Sequence, residues 1–241
     1  MTSSIDQRAL ITGASSGIGQ ATALAFAKAG IDLVLVSRSQ SKLDAVAQEA
    51  RSLGVDAQTC TIDLADVNTV RSQIESLVSQ VGMIDILVNN AGMAYTGTLG
   101  EMPLSDWQRV IDLNLTSVFQ CIQAILPGMR TQKRGTIINI ASIAAHQTFP
   151  NWGAYCVSKF GILALSKTLA AEERAHGIRV VTLSPGSVNT SIWDTETVQA
   201  DFDRTAMLTP DIVADAILQA ATMNDRAVVE EMILMPNAGT F

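Results

Sequence analysis

Seven short apolar runs punctuate this chain, and a longer helix-forming stretch follows each of the first six. The runs fall at 8–12, 32–36, 57–62, 84–88, 135–140, 179–183 and 228–234. The helical stretches fall at 18–29, 41–53, 67–80, 105–129, 151–176 and 210–222. Several runs are apolar at every position, Leu33-Val34-Leu35-Val36 among them. A strand with one wet face alternates apolar and polar residues, whereas one covered on both faces does not. Strands of the second kind, alternating with helices, build a parallel sheet with right-handed crossovers. The pattern therefore predicts an α/β fold: a doubly wound, seven-stranded parallel sheet with helices on both faces. No repeat, low-complexity linker or shift in composition interrupts the order, so residues 1–241 read as one domain.

Composition narrows the partners. Hydrophobic residues make up 48% of the 241 and charged residues 16%, which suits a well-buried α/β core. The net charge is −7, there is no basic tract, and the aromatics are not interleaved with Lys or Arg, so nucleic acid is excluded as a partner. Cys60, Cys121 and Cys156 have no metal-ligand spacing, and with only His146 and His176 beside them no metal site is expected. The opening Met-Thr-Ser-Ser-Ile-Asp-Gln-Arg has no apolar signal region, and no apolar run reaches membrane-spanning length. The expectation is a cytoplasmic protein with no membrane contact.

Three local patterns carry chemistry. Thr12-Gly13-Ala14-Ser15-Ser16-Gly17-Ile18-Gly19 joins the first strand to the first helix. Its glycines let the backbone turn tightly against a pyrophosphate, and the helix N-terminus offers free N–H groups. At the end of the second strand, where an acid would bind the ribose diol of NAD, stand Ser37-Arg38-Ser39. Arginine's planar fork matches a 2′-phosphate instead. Tyr155 and Lys159 are spaced (i, i+4), which places phenol and ammonium on one helix face. A phenol of pKa about 10 exchanges protons poorly at neutral pH, and a nearby positive charge favours its ionised form.

Taken together, these residues resemble the short-chain dehydrogenase/reductase family in its compact, single-domain, Rossmann-type form. The matching motifs run in order through almost the whole chain. They are the glycine turn at 12–19, Asp63-Leu64, Asn89-Asn90-Ala91-Gly92, Asn114, Ser142, Tyr155/Lys159, and Ser184-Pro185-Gly186 leading to Thr190. The resemblance implies a catalytic set of Asn114, Ser142, Tyr155 and Lys159. Tyr155 would be the general acid in ketone reduction and the base in reverse. Lys159 would lower its pKa and hold the nicotinamide ribose. Ser142 would bind the substrate oxygen, and Asn114 would support a proton relay through water. The implied cofactor is NADP(H), held by Gly13, Ser15, Ser16, Gly17, Ile18 and Gly19, by Ser37, Arg38 and Ser39, and by Asp63 and Leu64. Asn90, Ala91 and Gly92, Tyr155 and Lys159, and Pro185, Gly186, Val188 and Thr190 would complete that site. Asn89 would tie strands together.

The implied function is reduction of a ketone or oxoacyl group to a secondary alcohol, or the reverse. Met93, Ile143, His146, Trp152 and Trp193, with Tyr95, Phe149 and Ile192 near them, would face a small hydrophobic substrate. His146 is not counted as catalytic. Residues 191–208 mix apolar Trp193, Phe202 and Met207 with acids and would form a lid over the substrate. The long helices at 105–129 and 151–176 carry apolar residues on more than one face, including Ala164, Leu165 and Leu169, which predicts a homo-oligomer. The family favours a tetramer, and a dimer is the other option. One alternative is 3-oxoacyl-acyl-carrier-protein reduction. The ending Met235-Pro236-Asn237-Ala238-Gly239 and the short segment after Thr190 speak against it. Another alternative is a non-catalytic NADP sensor, which would be expected to lack the tyrosine or lysine. A second basic residue in the glycine turn is absent; Ser15 and Ser16 stand there.

Overall fold

The computed structural model describes residues 7–198 and 203–239. The strands are β1 (Arg8–Thr12), β2 (Asp32–Ser37), β3 (Ala57–Thr61), β4 (Ile86–Asn89), β5 (Gly135–Ile140), β6 (Ile178–Pro185) and β7 (Glu231–Leu234). All six pairings between them are parallel, in the order β3-β2-β1-β4-β5-β6-β7. The helices are α1 (Gly17–Lys28), α2 (Gln40–Ser52), α3 (Val70–Val81), α4 (Leu104–Ile111), α5 (Ser117–Gln132), α6 (Gly153–Glu173) and α7 (Pro210–Ala221).

Strand periodicity divides the core into two layers. Ala9, Ile11, Leu33, Leu35, Ile138 and Val181 point to one face and pack with Phe26 of α1, Leu43 of α2 and Val213 of α7. Their neighbours Leu10, Val34, Val36, Ile137 and Val180 point to the other and pack with Ile74 of α3, Ile125 of α5 and Ile162 of α6. Both sets are fully or almost fully buried, which explains runs with no polar alternation. The order reverses between β1 and β4, so the loops leaving those two strands diverge and open a crevice at their carboxyl ends.

The boundaries differ from the sequence reading where side chains compete for the backbone. The helix expected from 67 begins at Val70, because the Thr69 N–H and hydroxyl both bond Asp66 in a turn. The last strand is reduced to four residues, and β4 is shifted to Ile86–Asn89. The helix expected at 105–129 is three pieces: α4, a π-helical turn over Asp112–Thr116, and α5. Together, Leu104–Gln132 are long and apolar enough to cross a membrane by length and composition, which the sequence reading had not found. Half of its most apolar 18-residue window is buried inside the protein.

Candidate active site

A cavity of about 740 Å³ runs along the carboxyl ends of the strands. The β1–α1 turn forms its floor. Gly13 has φ +66°, and a Cβ there would lie 2.8 Å from the Asn90 amide and 2.9 Å from the Ala91 Cα. A Cβ on Gly19 would collide with the Gly13 carbonyl and stand 2.6 Å from the same amide. Only glycine permits this approach of turn, helix and β4 loop. Thr12 locks the arrangement: its Oγ1 accepts the N–H groups of Asn90 (3.0 Å) and Ala91 (3.1 Å). The Ser16 side chain makes no cap bond, and the first turn of α1 holds no acid, so the helix N-terminus is free for an anion.

The residues assigned from sequence meet along this cavity. Gly13, Ser15, Ser16, Gly17 and Ile18 line one end with Ser37, Arg38 and Ser39. Asp63, Leu64, Asn90, Ala91 and Gly92 line the middle, and Pro185, Gly186, Val188 and Thr190 the far wall. Gly19 does not line it; it is buried and acts through close packing. Asp63 also closes a local turn by accepting the Ala65 N–H at 3.0 Å. Two basic residues were missed: Lys42 and Arg109. Lys42 follows Arg38 by four positions on the exposed first turn of α2, a spacing that could have revealed it.

Ser142 and Tyr155 line both this cavity and a smaller one of about 110 Å³. The Ser142 hydroxyl acts on the Tyr155 phenol as a hydrogen-bond donor. The Ser142 Oγ also accepts the Ala144 N–H at 3.1 Å, which fixes its rotamer. Burial pushes the Tyr155 phenol above its ordinary value, and the bond from Ser142 offsets part of the rise. The sequence led us to expect Lys159, together with a cationic cofactor, to lower this value; in the protein without cofactor desolvation dominates and raises it. The Lys159 ammonium lies 5.6 Å from the Tyr155 ring centre and donates to the Ile140 carbonyl at 2.9 Å. Burial lowers its own pKa to about 8.

Asn114 occupies the π-helical turn and is buried. Its Oδ1 accepts the Met93 N–H (2.8 Å), and its Nδ2 donates to the Met93 carbonyl (2.9 Å) and to Ser158 Oγ (3.0 Å). Ser158 in turn donates to the Tyr155 carbonyl at 2.7 Å. Asn114 therefore clamps the loop after β4 to the helix carrying Tyr155 and Lys159. Its Oδ1 and the Lys159 ammonium both lie beside Gly92, where an added Cβ would stand 3.3 Å from the first and 3.8 Å from the second. The extra residue of a π turn turns this side chain inward, and such turns concentrate at functional sites.

The small cavity is walled by Ile143, Phe149, Trp152, Ile192 and Trp193. Trp152 stands edge-on to Tyr155 (5.6 Å) and to Trp193 (5.9 Å). The Trp193 indole donates to the Val188 carbonyl at 2.7 Å. Met93 lines the large cavity instead. Tyr95 lines neither; its hydroxyl donates to Asp106 at 3.0 Å. His146, expected to face the substrate, is not among the residues lining either cavity. Its Nε2 is 3.0 Å from Ser184 Oγ and 3.4 Å from Glu231. The short 3-10 turn after Ser142 carries it away, toward β7. Of the expected lid, Asp201 and Phe202 lie outside the described residues. Residues 191–197 stand against the large cavity, tied to the loop after β4 by Thr197, which donates to the Ala94 carbonyl at 2.8 Å.

This order of motifs, on this sheet, can be compared with known proteins. The short chain dehydrogenase family model matches residues 7–201. The chain belongs to that family. It is accordingly an oxidoreductase acting on CH–OH and C=O groups. It is 37% identical to a sepiapterin reductase of Chlorobaculum tepidum, with 95% of this chain and 96% of that one covered. It is 40% identical to a 3-oxoacyl-[acyl-carrier-protein] reductase of Synechocystis sp., over 83% and 81% of the two chains. Among solved structures, a metagenomic short-chain oxidoreductase in complex with NADP matches with a TM-score of 0.84. That pair is 33% identical, with 96% and 97% covered.

Proposed function

We propose that this dehydrogenase is an NADP(H)-dependent carbonyl reductase, interconverting a small apolar ketone and a secondary alcohol. The observation carrying this reading is the position of Ser142 and Tyr155 between a dinucleotide-sized cavity and a small apolar one, with the Lys159 ammonium buried behind them. The turn at Gly13 and Gly19 and the uncapped α1 N-terminus fit a pyrophosphate. Ser37, Arg38 and Lys42 fit a 2′-phosphate, and no acid stands among them to repel it. The NADP complex of the structural relative agrees with that choice. When bound, NADPH supplies the hydride.

The chain's own residues do the rest. Ser142 and Tyr155 converge on the carbonyl oxygen. As negative charge grows there, Ser142 donates a hydrogen bond and Tyr155 delivers its proton. The raised phenol pKa keeps that proton in place at neutral pH, which suits the reducing direction. Lys159, at about 8, remains mostly charged at pH 7 and stabilises the phenolate left behind. Asn114 holds the helix bearing both residues in register with the β4 loop. The aromatic wall of the small cavity presents an apolar surface to the substrate.

The Synechocystis relative supports a second reading, oxoacyl thioester reduction. An NADPH-oxidation screen separates the two, across aliphatic and aryl ketones, β-keto esters, oxoacyl thioesters, quinones and steroids. Short aliphatic ketones are expected to turn over best. Silence across the whole panel would overturn the carbonyl-reductase reading.

The proposal extends to assembly. Leu104, Phe119, Val157 and Phe160 are exposed on α4, α5 and α6. Ala164 is exposed on the same helix, whereas Leu169 belongs to the chain's own core. A homo-oligomer covering these residues, a tetramer for preference, removes that apolar surface from water. Cysteines 60, 121 and 156 are all unpaired, in keeping with a cytoplasmic enzyme.

A further inference from the structure

Beyond Ala141 the ladder between β5 and β6 comes apart. Its last bond runs from the Ala141 N–H to the Leu183 carbonyl at 2.8 Å. One segment then enters the 3-10 turn Ile143–Ala145, with Ser142 at its start, and the other continues through Ser184 to Pro185 and Gly186. Ser142, Ile143 and Ala144 wall one side of the small cavity, and Gly186 lines both cavities. The spacing of these walls depends on what joins the diverging segments. The backbone bonds of the turn are local: the Ala145 N–H donates to the Ser142 carbonyl and the His146 N–H to the Ile143 carbonyl, each at 2.9 Å. The His146 side chain does cross. Its Nε2 lies 3.0 Å from the Oγ of Ser184, which is fully buried in β6, and 3.4 Å from Glu231, the first residue of β7. Glu231 is itself held by the Lys167 ammonium of α6 at 3.0 Å. One imidazole nitrogen thus reaches two adjacent strands. A serine hydroxyl both donates and accepts, so the bond to Ser184 survives either tautomer.

We propose that His146 is a positioning residue: it braces the turn bearing Ser142 against β6 and β7, and so fixes where the Ser142 hydroxyl meets the substrate oxygen. His146 lines neither cavity, so it acts through Ser142 and not on the substrate. The Ser142 Oγ accepts the Ala144 N–H at 3.1 Å, within the turn, so hydroxyl and turn move as a unit. A misplacement of about 1 Å at a reacting group can cost ~10²-fold in rate. The glycine turn leaves β1, which β4 and β5 separate from β6, so nucleotide affinity does not depend on the brace.

The brace rests on the proposed carbonyl reduction only for its kinetic consequence, and two measurements separate the failures. The first is hydrogen exchange by mass spectrometry on the unmutated protein, H146A and H146Q. The amides of the turn should exchange roughly tenfold faster in H146A, the size of one lost hydrogen bond, while the peptides of β1 and β5 stay protected and show that the variant is folded. Glutamine carries an amide that also donates and accepts, so H146Q should restore most of the protection. The second is steady-state NADPH oxidation with 2-butanone. In H146A kcat should fall about ten- to a hundredfold with the KM for NADPH unchanged, and H146Q should recover most of the loss. H146A with S184A should be no slower than H146A alone, because both remove the same contact. Unchanged exchange in the turn overturns the brace. Faster exchange with an unchanged kcat overturns the positioning role. So does a kcat loss that glutamine leaves unrepaired, or one matched by an equal loss of NADPH affinity, since His146 would then be structural. An unmutated enzyme that turns over no ketone overturns the carbonyl-reductase reading, and exchange still decides the brace.

Discussion

Removing Arg38 and Lys42 should convert the cofactor preference of this enzyme. Both side chains line the same end of the large cavity, one at the close of β2 and the other on the first turn of α2. Ser37 stands where a ribose-binding acid would repel phosphate; it is nearly buried and its Oγ accepts the Ser39 N–H at 3.2 Å. A hydrogen bond to a charged group contributes about 1.5–3 kcal/mol. Arg38 and Lys42 are exposed, and solvent screening places each at the low end. About 1.5 kcal/mol corresponds to roughly tenfold in affinity. Arg38→Ala should therefore raise the KM for NADPH about tenfold, and Lys42→Ala by somewhat less. The two cations serve one phosphate, so the double variant should fall short of the ~100-fold product of independent effects. The KM for NADH should stay unchanged throughout, since NADH carries no 2′-phosphate. The assay is steady-state turnover of a saturating ketone with either nucleotide, at low and high salt; the NADPH advantage should shrink as salt rises. Equal efficiency with both nucleotides in the unmutated enzyme would refute the reasoning. So would an Arg38→Ala variant that weakens both nucleotides alike.

Tyr155→Phe keeps the buried ring against Trp152 but removes the proton, so turnover should drop by ~10²–10⁴ while NADPH binding, followed by fluorescence, is retained. Lys159 is a buried cation with its pKa depressed from 10.5 to about 8, so the unfolded chain binds the extra proton between those values and stability should rise with pH across that window. In the cofactor-free protein the depressed pKa amounts to about 3 kcal/mol of lost stability at pH 7. Lys159→Met should consequently raise the melting temperature at pH 7, less the cost of the unpaired Ile140 carbonyl, and that gain should fade toward pH 10; a Tm that falls at pH 7 would refute this. Glu173 is buried and paired with Arg130 and His176, and those partners hold its carboxyl below the usual 4.5. Its contribution to stability is present above that value and is lost as pH falls through the lower folded one. Arg130→Ala should lower the urea midpoint at pH 7, by less than the loss of a fully buried pair would, because Arg130 is half-exposed and His176 remains beside Glu173. Light scattering of the native protein should show an oligomer at micromolar concentration, and Phe119→Glu with Phe160→Glu should dissociate it; a monomeric native protein would remove the proposed interface.

The sequence by itself determined the order of elements and the parallel sheet, and it pointed to the catalytic set proposed above. These are local or patterned properties. Uninterrupted apolar runs mean strands covered on both faces, glycines at 13, 17 and 19 mean a turn no larger residue could make, and Tyr155 with Lys159 at a one-turn spacing share a helix face. Ser142, Asn114 and the loop residues were recognised from a family pattern rather than from physical necessity. What lay beyond reach depended on contacts between distant segments. A helix break at Asp112–Thr116 leaves no mark in propensity, because the π turn is stabilised by Asn114 reaching Met93 and Ser158 across the fold. The placement of His146 beside Ser184 and Glu231 was also beyond reach, because a single turn of 3-10 helix, with Ser142 accepting the Ala144 N–H, decides which way the next residues face. The sign of the Tyr155 shift also needed the fold, since a helix spacing reveals the neighbouring charge but not the burial that raises the phenol's value. Periodicity and spacing are properties of neighbours along the chain, whereas burial and hydrogen-bond satisfaction are sums over everything that surrounds an atom.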